Sequence, residues 1–253
     1  MRTNWSPVTT ALQDLRRANI ALPIWWRDDD AIADTPQLDL LGNLSVALSL
    51  PVHLAIIPDR LEASLPPVIL GSSNFIPLVH GWRHDRHDVG CEKKTEFGAR
   101  RPDDTAELSA GLARLQAAFG DRLVPIFVPP WNILHDSLLP ELARIGYAGV
   151  STYQPRAARF AAEGLVRINT HIDPINWRGN RSLIKPRLLV EHIAALLRAR
   201  LAGTQDRAEP LGLLTHHLVH DRAIWGFTQE CLTRLLDGGA QPVNLLAEKD
   251  ALP

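Results

Sequence analysis

The stretch that decides the fold is Leu22-Pro23-Ile24-Trp25-Trp26-Arg27-Asp28-Asp29-Asp30, an apolar run that stops at three consecutive carboxylates. A short apolar run of this kind is typical of a buried strand in a parallel sheet. Adjacent carboxylates repel one another, and burying one of them is costly without a cation. The stretch therefore predicts a buried strand that ends in a metal or acid–base site. A carboxylate cluster capping a helix before Ala31 is the alternative.

Apolar runs and helical patterns alternate along the rest of the chain. About seven strands in alternation with helices imply right-handed crossovers and a parallel sheet. We expect an α/β fold, a distorted (β/α)7-type barrel with parallel strands, formed by residues 1–253 as a single domain. The predicted strands cover about 22–26, 52–57, 75–79, 123–128, 148–152, 165–170 and 211–215, with a last short one at 243–246. The predicted helices are an opening one that starts at Ser6-Pro7, and others at about 36–49, 104–119, 136–145, 186–201 and 223–236, with a short irregular or helical piece at 60–65.

Composition excludes several classes of function. The chain has 27 basic and 28 acidic residues and a net charge of −1, so no bulk positive field draws it to nucleic acid or to an anionic membrane. Its two cysteines cannot build a disulfide framework, and no signal-peptide pattern opens the sequence. The uncharged stretch from Leu41 to Ile57 is better explained by a helix followed by a strand than by a membrane span. We expect a cytoplasmic protein with no nucleic-acid or membrane partner.

Chemically capable residues follow the predicted strands at the point where each one ends. Besides the aspartates, these residues are His80, Trp131, Asp173 and His216. In a parallel α/β barrel the carboxyl ends of the strands open onto one mouth, where the loops converge. The repeated placement therefore predicts a single constellation of side chains.

Two imidazoles occur four positions apart in His80-Gly81-Trp82-Arg83-His84. On a helical turn they would meet on one side, and zinc favours imidazole plus carboxylate ligands with an open position at a catalytic site. A solvated loop is the alternative. A structural zinc site that also uses His87 and Cys91 is a third interpretation.

Two further segments favour catalysis. Pro129 and Pro130 stiffen the turn after a strand, so the first free N–H belongs to Trp131, where it suits an oxyanion hole. A simple strand terminator with a packed Trp131 is the alternative. His216 and His217 follow an apolar strand, where an imidazole suits a general acid. A satisfied core histidine is the alternative for one of the two, but it explains both less well, because alternation directs them to opposite faces.

Taken in order, these segments resemble the polysaccharide deacetylases of carbohydrate esterase family 4. Trp26-Arg27-Asp28-Asp29-Asp30 is similar to the family's Thr-Phe-Asp-Asp-Gly, and His80 and His84 match its His-x-x-x-His motif. The resemblance implies Asp28 as catalytic base, with Asp29, His80 and His84 as metal ligands. Three later segments extend the match. The segment from Val128 to Asn132 implies that the Trp131 N–H binds the oxyanion. The segment from Asp173 to Trp177 is similar to the family's Asp–Trp segment, and the one from Leu213 to His216 implies His216 as general acid.

The chain departs from the family pattern in three places. Arg27 replaces an aromatic residue and Asp30 a glycine, so the pair could be shifted by one, to Asp29 and Asp30. Val128 stands where the family has an arginine that orients the base, and Arg27 or Arg83 could substitute for it. His217 could be the acid instead of His216.

The resemblance implies a metal-dependent hydrolase that removes an N-acetyl or other N-acyl group from a sugar or small amide. Its cofactor would be a divalent metal, Zn²⁺ above all. The expected substrate-binding residues are Trp82, Pro130, Asp173, Trp177 and His217. One alternative is a catalytically inactive relative that binds a carbohydrate or peptide. Another is a metal-dependent phosphoesterase, with Arg27, Arg83, Arg100 and Arg101 as candidate anion-binding groups.

Overall fold

The computed structural model describes residues 3–87 and 94–252. Within them, nine strands form one sheet. The strands are β1 (Pro23–Ala31), β2 (Val52–Ile56), β3 (Phe75–His80), β4 (Ile126–Val128), β5 (Gly149–Val150), β6 (Phe160–Ala162), β7 (Leu165–Arg167), β8 (Leu211–Thr215) and β9 (Gln241–Pro242). The α-helices are α1 (Ser6–Arg17), α2 (Pro36–Leu48), α3 (Leu65–Gly71), α4 (Asp104–Phe119), α5 (Leu139–Ile145), α6 (Pro186–Ala202) and α7 (Arg222–Asp237).

The sheet curls into a barrel of parallel strands. The strand order is β8-β1-β2-β3-β4-β5-β7, and every neighbouring pair in it is parallel. The chain after β7 then reaches β8, because Ile172 pairs with Leu213 in parallel and the N–H of Leu214 donates to the carbonyl of Ile172 at 2.8 Å. This contact joins the two ends of the sheet. The predicted distorted barrel of parallel strands is confirmed.

Strand β1 separates two buried regions by the alternation of its side chains. Trp25 packs inside the barrel with Ala55 and Val128, whereas Trp26 packs in the outer layer between the strands and the helices. Because successive side chains of a strand point to opposite faces, Arg27 and Asp29 follow Trp25 inward and Asp28 follows Trp26 outward. The three aspartates therefore do not share one environment.

Several boundaries differ from those expected. Strand β1 continues through the carboxylates, because Asp28 still pairs with Leu54 of β2 and Thr215 of β8. The expected helical piece at 60–65 is instead a 3₁₀ turn at Pro58–Arg60, with α3 following from Leu65. The last strand lies at 241–242 rather than 243–246, and the hairpin strand β6 was not expected.

Helix α2 begins where the sequence predicts. The Thr35 hydroxyl accepts a hydrogen bond from the N–H of Leu38 at 3.1 Å, which satisfies one of the free donors of the first turn. The stretch from Leu41 to Ile57 forms the end of this helix and strand β2. Across the described part of the chain, every helix is too short or too polar to cross a membrane.

Candidate functional site

Three potential metal ligands meet at the carboxyl end of the barrel. They are Asp30 at the end of β1, His80 at the end of β3, and His84 in the loop that follows. Their ligand atoms all lie within 4.8 Å of one another. Asp30 Oδ1 is 3.0 Å from His80 Nε2 and 3.4 Å from His84 Nε2. The histidine pair is therefore brought together as predicted, and the carboxylate that joins it is Asp30, the shifted register, rather than Asp29.

The orientation of His80 suits a cation. Its Nδ1 lies 3.0 Å from the carbonyl of Val128, which can only accept, so Nδ1 carries the proton. The lone pair of Nε2 then points at the carboxylate of Asp30, and two acceptors at that separation need a proton or a cation between them. Two ligands about 2.0–2.1 Å from a tetrahedral zinc ion lie about 3.3 Å apart. The donor set and its spacing therefore fit a divalent metal.

The pKa values of the three groups reflect the same crowding. Burial lowers the pKa of His80, but the hydrogen bond and charge of Asp30 outweigh it and raise that pKa above its ordinary value. Burial and then the charge of His80 lower the pKa of His84 to about 4. Burial raises the pKa of Asp30, yet His80 more than offsets this and brings it below the usual range. The pKa values of the two histidines therefore shift in opposite directions beside one carboxylate.

The backbone around these ligands adopts left-handed conformations. The φ angles of Asp30, Gly81 and His84 are 73°, 56° and 61°. Such angles are uncommon for residues other than glycine and cluster at functional sites. The predicted helical turn from His80 to His84 is not formed; a tight irregular loop brings the two rings to a centroid distance of 5.1 Å.

Asp29 faces Arg27 inside the barrel mouth. The guanidinium Nε is 2.8 Å from Asp29 Oδ1, and Nη2 donates to Asp29 Oδ2 at 2.9 Å. Arg27 is fully buried, and it also donates to the Asn132 side chain at 2.7 Å and the Ser151 hydroxyl at 2.7 Å. Of the two arginines considered as substitutes at the Val128 position, Arg27 makes the contact, whereas Arg83 pairs with Asp59 near the surface.

Asp28 lies in the outer layer, away from the three ligands. Its carboxylate accepts hydrogen bonds from the Thr215 hydroxyl at 2.6 Å and the His217 N–H at 3.0 Å, and it pairs with His217 Nδ1. Burial raises the pKa of Asp28, but the charge of His217 outweighs it and lowers that pKa; the same pairing raises the pKa of His217. Both side chains are buried, so neither lines an open substrate surface.

Trp131 sits beside the ligands on a rigid turn. Its φ of 55° follows the two prolines, and its ring lies 4.2 Å from that of His84. The N–H groups of Asn132 and Ile133 bond back to Pro129 and Pro130, while that of Trp131 has no acceptor among the described residues. A rigid unpaired N–H next to a metal site is suited to stabilising an oxyanion.

His216, Asp173 and Trp177 form a second wall of the mouth. The rings of Trp177 and His216 are 4.7 Å apart, and the Trp177 indole donates to Asp173 Oδ2 at 2.8 Å. Trp177 is 41% exposed, so its ring is open to a ligand. Burial raises the pKa of Asp173, against the opposing charge of His216. His216 Nδ1 is buried and has no hydrogen-bond partner in the described structure.

Of the other residues expected at the site, Pro130 and Trp82 lie in or next to the loops around this mouth. Pro130 is buried against the Gly81 backbone, and Trp82 is partly buried against the outer core. The structural zinc site that would use His87 and Cys91 involves a residue outside the described ones, because Cys91 lies between residues 87 and 94. The sequence did not single out Ser151 or Glu96, because each acts through contacts that no local pattern encodes.

The arginines proposed for anion binding are already paired with carboxylates. Arg27 pairs with Asp29 and Arg83 with Asp59. Three further pairs lie outside β1 and the histidine loop: Arg100 with Glu141, Arg101 with Asp104, and Arg101 with Glu107. The mouth therefore offers no free guanidinium from this set.

No protein-family model matches the chain, and no curated protein matches its sequence. Its fold does match solved structures. One is a peptidoglycan N-acetylglucosamine deacetylase (TM-score 0.57, 12% identity, 90% of this chain and 87% of that one). Another is a family 4 acetyl xylan esterase from Clostridium thermocellum in complex with a cobalt ion (TM-score 0.52, 13% identity, 91% of this chain and 92% of that one). A third is a family 4 carbohydrate esterase pseudoenzyme from Bacillus anthracis (TM-score 0.56, 12% identity, 91% of this chain and 66% of that one). The resemblance in the sequence is confirmed at the level of the fold.

Proposed function

We propose that this protein is a metal-dependent hydrolase that removes an N-acetyl or similar N-acyl group from a sugar or small amide. The observation that carries the proposal is the group of Asp30, His80 and His84 at the barrel mouth, with Asp29 held next to it by Arg27. The fold shared with deacetylases supports the class of reaction. Zn²⁺ is the ion best suited to two imidazoles and one carboxylate.

Each residue has a distinct task in this reaction. A divalent cation held by Asp30, His80 and His84 would act as a Lewis acid on the acyl carbonyl and on water. Asp29 is the general base, because its carboxylate lies one residue from a ligand and Arg27 keeps it oriented. The Trp131 N–H donates to the oxyanion as the carbonyl is attacked. His216 protonates the departing amine at the opposite wall.

The substrate class follows from the walls of the mouth. Trp177 exposes an aromatic face beside His216, which suits the apolar face of a sugar ring or an acyl methyl group. Asp173 orients the Trp177 indole through its hydrogen bond. Trp82 and Pro130 support the loop that carries the histidines. His217 is a less suitable binding residue, because it is buried against Asp28. A cytoplasmic location stays a prediction.

An inactive carbohydrate-binding relative is the second candidate. A pseudoenzyme has the same fold, and a mutant of it has restored enzymatic activity, so this fold supports both states. The feature that favours the inactive state here is Val128 in place of the base-orienting arginine. Arg27 supplies a guanidinium to Asp29 from within β1, which favours the active state. A phosphoesterase is less well supported, because its candidate arginines are paired.

The decisive experiment measures metal binding and acetate release together. We expect purified protein loaded with Zn²⁺ or Co²⁺ to hold about one ion per chain and to release acetate from N-acetylated amino sugars. His84→Ala should lose the ion and the activity, since it removes one of the three ligands. The matched control is His135→Ala, because the imidazole of this exposed histidine bonds only to Ser137 among the described residues and its backbone bonds are kept in alanine. Stoichiometric metal without acetate release from any acetamide, or hydrolysis of phosphoesters alone, would contradict the proposal.

A further inference from the structure

The loop between the two histidine ligands is held by a buried carboxylate that follows it in the chain, that of Glu96. Glu96 Oε2 accepts a hydrogen bond from the N–H of Trp82 at 3.1 Å, and Oε1 accepts one from the N–H of Arg83 at 2.8 Å. Trp82 and Arg83 lie between His80 and His84. Each carboxylate oxygen therefore satisfies one amide of the segment that separates the two ligands.

Glu96 is itself held rigidly. The N–H of His87 donates to the carbonyl of Thr95 at 2.8 Å, and the N–H of His135 donates to the carbonyl of Phe97 at 2.7 Å. Phe97 is fully buried and packs edge-on against Phe127 at a centroid distance of 5.5 Å. The carboxylate thus stands on a short segment that is tied down on both sides, and it has little freedom to follow the loop.

Close packing makes the arrangement specific. Gly81 has a φ of 56°, and a Cβ added to it would lie 2.2 Å from Glu96 Oε2 and 2.5 Å from Pro130 Cγ. Only glycine therefore lets the loop approach both groups. The left-handed φ of Gly81 and that of His84 direct the chain so that both imidazoles reach Asp30.

We propose that Glu96 is the positioning residue of the metal site, which presets the loop from His80 to His84 so that both imidazoles reach Asp30 before a metal binds. The inference rests on the proposed function, since it assumes that these three side chains hold a metal. Partners that orient ligands from outside typically contribute about 10–100-fold in metal affinity.

The test compares the dissociation constant of Co²⁺ in wild type and Glu96→Gln by competition with a chromophoric chelator. Glutamine turns one acceptor oxygen into a donor that opposes a backbone N–H, so we expect Co²⁺ to bind about 10–100-fold more weakly. The visible absorption of bound Co²⁺ should change as well, because the two imidazoles no longer sit in one preset geometry. Glu191→Gln is the matched control, because Glu191 is exposed on α6 and pairs with Arg187.

Thermal unfolding of the metal-free proteins separates positioning from folding. A merely structural Glu96 would lower the unfolding temperature and leave the Co²⁺ dissociation constant unchanged, which would overturn the inference. Should Glu96→Gln fail to fold, Gly81→Ala removes the close approach without altering a charge, and it should weaken Co²⁺ binding in the same direction; wild-type affinity in that variant would overturn the inference too. Wild-type protein that binds no Co²⁺ would instead contradict the proposed function.

Discussion

Two buried histidines on adjacent strands, His53 of β2 and His80 of β3, differ at one nitrogen only. The Nδ1 of each lies 3.0 Å from a backbone carbonyl, that of Trp26 for His53 and that of Val128 for His80. The Nε2 of His53 accepts a hydrogen bond from the N–H of Leu245 at 3.2 Å, whereas the Nε2 of His80 faces the carboxylate of Asp30. Burial is the same, but the group opposite the second nitrogen is a neutral donor in one case and an anion in the other.

The consequence appears in their pKa values. Burial lowers the pKa of His53 to about 4, and its hydrogen-bond partners are neutral backbone groups that do not offset this. The pKa of His80 is raised despite equal burial, since Asp30 stabilises a positive charge there. The contrast shows that burial keeps an imidazole neutral when its hydrogen-bond partners are neutral. The same burial is outweighed, and the positive charge is favoured, when a carboxylate lies against the second nitrogen.

The two histidines also mark the two ends of the barrel. Near His53, the C-terminal segment closes the amino end: the N–H of Val243 donates to the carbonyl of Ile24, and Val243 and Leu245 pack against the inner core. Near His80, the loops after β1, β3 and β4 bring Asp30, His84 and Trp131 together. Parallel α/β barrels typically carry their active sites at the carboxyl ends of the strands, and the proposed site lies at that end, near His80.

The largest expected effect lies at the carboxyl end of the barrel, where the activities of the Asp29 and Asp28 variants should differ. Asp29→Asn should retain its metal and lose about 10²–10⁴-fold in kcat, the usual contribution of a general base. Asp28→Asn should lose far less activity, because Asp28 faces His217 in the outer layer. Steady-state acetate release and metal analysis on both variants give the answer. A larger loss of activity in Asp28→Asn than in Asp29→Asn would mean that Asp28, and not Asp29, is the general base.

A smaller effect is expected at the buried ion pair of Arg27 and Asp29. Arg27→Met leaves Asp29 buried without a compensating charge, which typically costs about 3–5 kcal/mol in the free energy of unfolding. Urea unfolding measures this loss. Arg83→Met is the matched control, because its pair with Asp59 is exposed and should contribute less than about 1 kcal/mol. Equal losses in the two variants would show that Arg27 does not hold a buried charge.

The smallest effect concerns His53 at the amino end of the barrel and the pH dependence of the free energy of unfolding. Because the pKa of His53 falls from 6.5 in an unfolded chain to about 4 in the fold, the unfolded state binds more protons between these values. Stability contributed by neutral His53 is complete above pH 6.5 and is lost on acidification toward pH 4, by up to about 3 kcal/mol.

His53→Gln tests this prediction, since glutamine can keep both backbone hydrogen bonds but cannot titrate. The free energy of unfolding from pH 7 to 4 should fall less steeply in this variant than in wild type. His135→Gln, an exposed substitution, should keep the wild-type slope. If the free energy of unfolding of His53→Gln fell with pH as steeply as that of wild type, His53 would not be held neutral in the folded protein.

Local patterns located most elements of the fold and most members of the site. The bounds of α4 and β8 agree with the expected 104–119 and 211–215, because each has a clear apolar pattern between polar boundaries. His80, His84 and Trp131 lie together as expected. The sequence left the register of the aspartates open, since three identical neighbours carry no signal of which one turns inward. It also expected a helical turn at His84, where left-handed backbone angles at Gly81 and His84 form an irregular loop instead.

By itself, the amino-acid sequence determined an alternation of buried strands and helices, a balanced charge, and a set of carboxylates and imidazoles at strand ends, because periodicity and composition are local properties of the chain. Only the tertiary structure decided which carboxylate joins the histidines, that Arg27 pairs with Asp29, and that Glu96 accepts hydrogen bonds from the loop between His80 and His84. Each of these depends on which groups come within hydrogen-bonding distance. That placement is set by strand pairing and barrel closure, to which no local pattern responds.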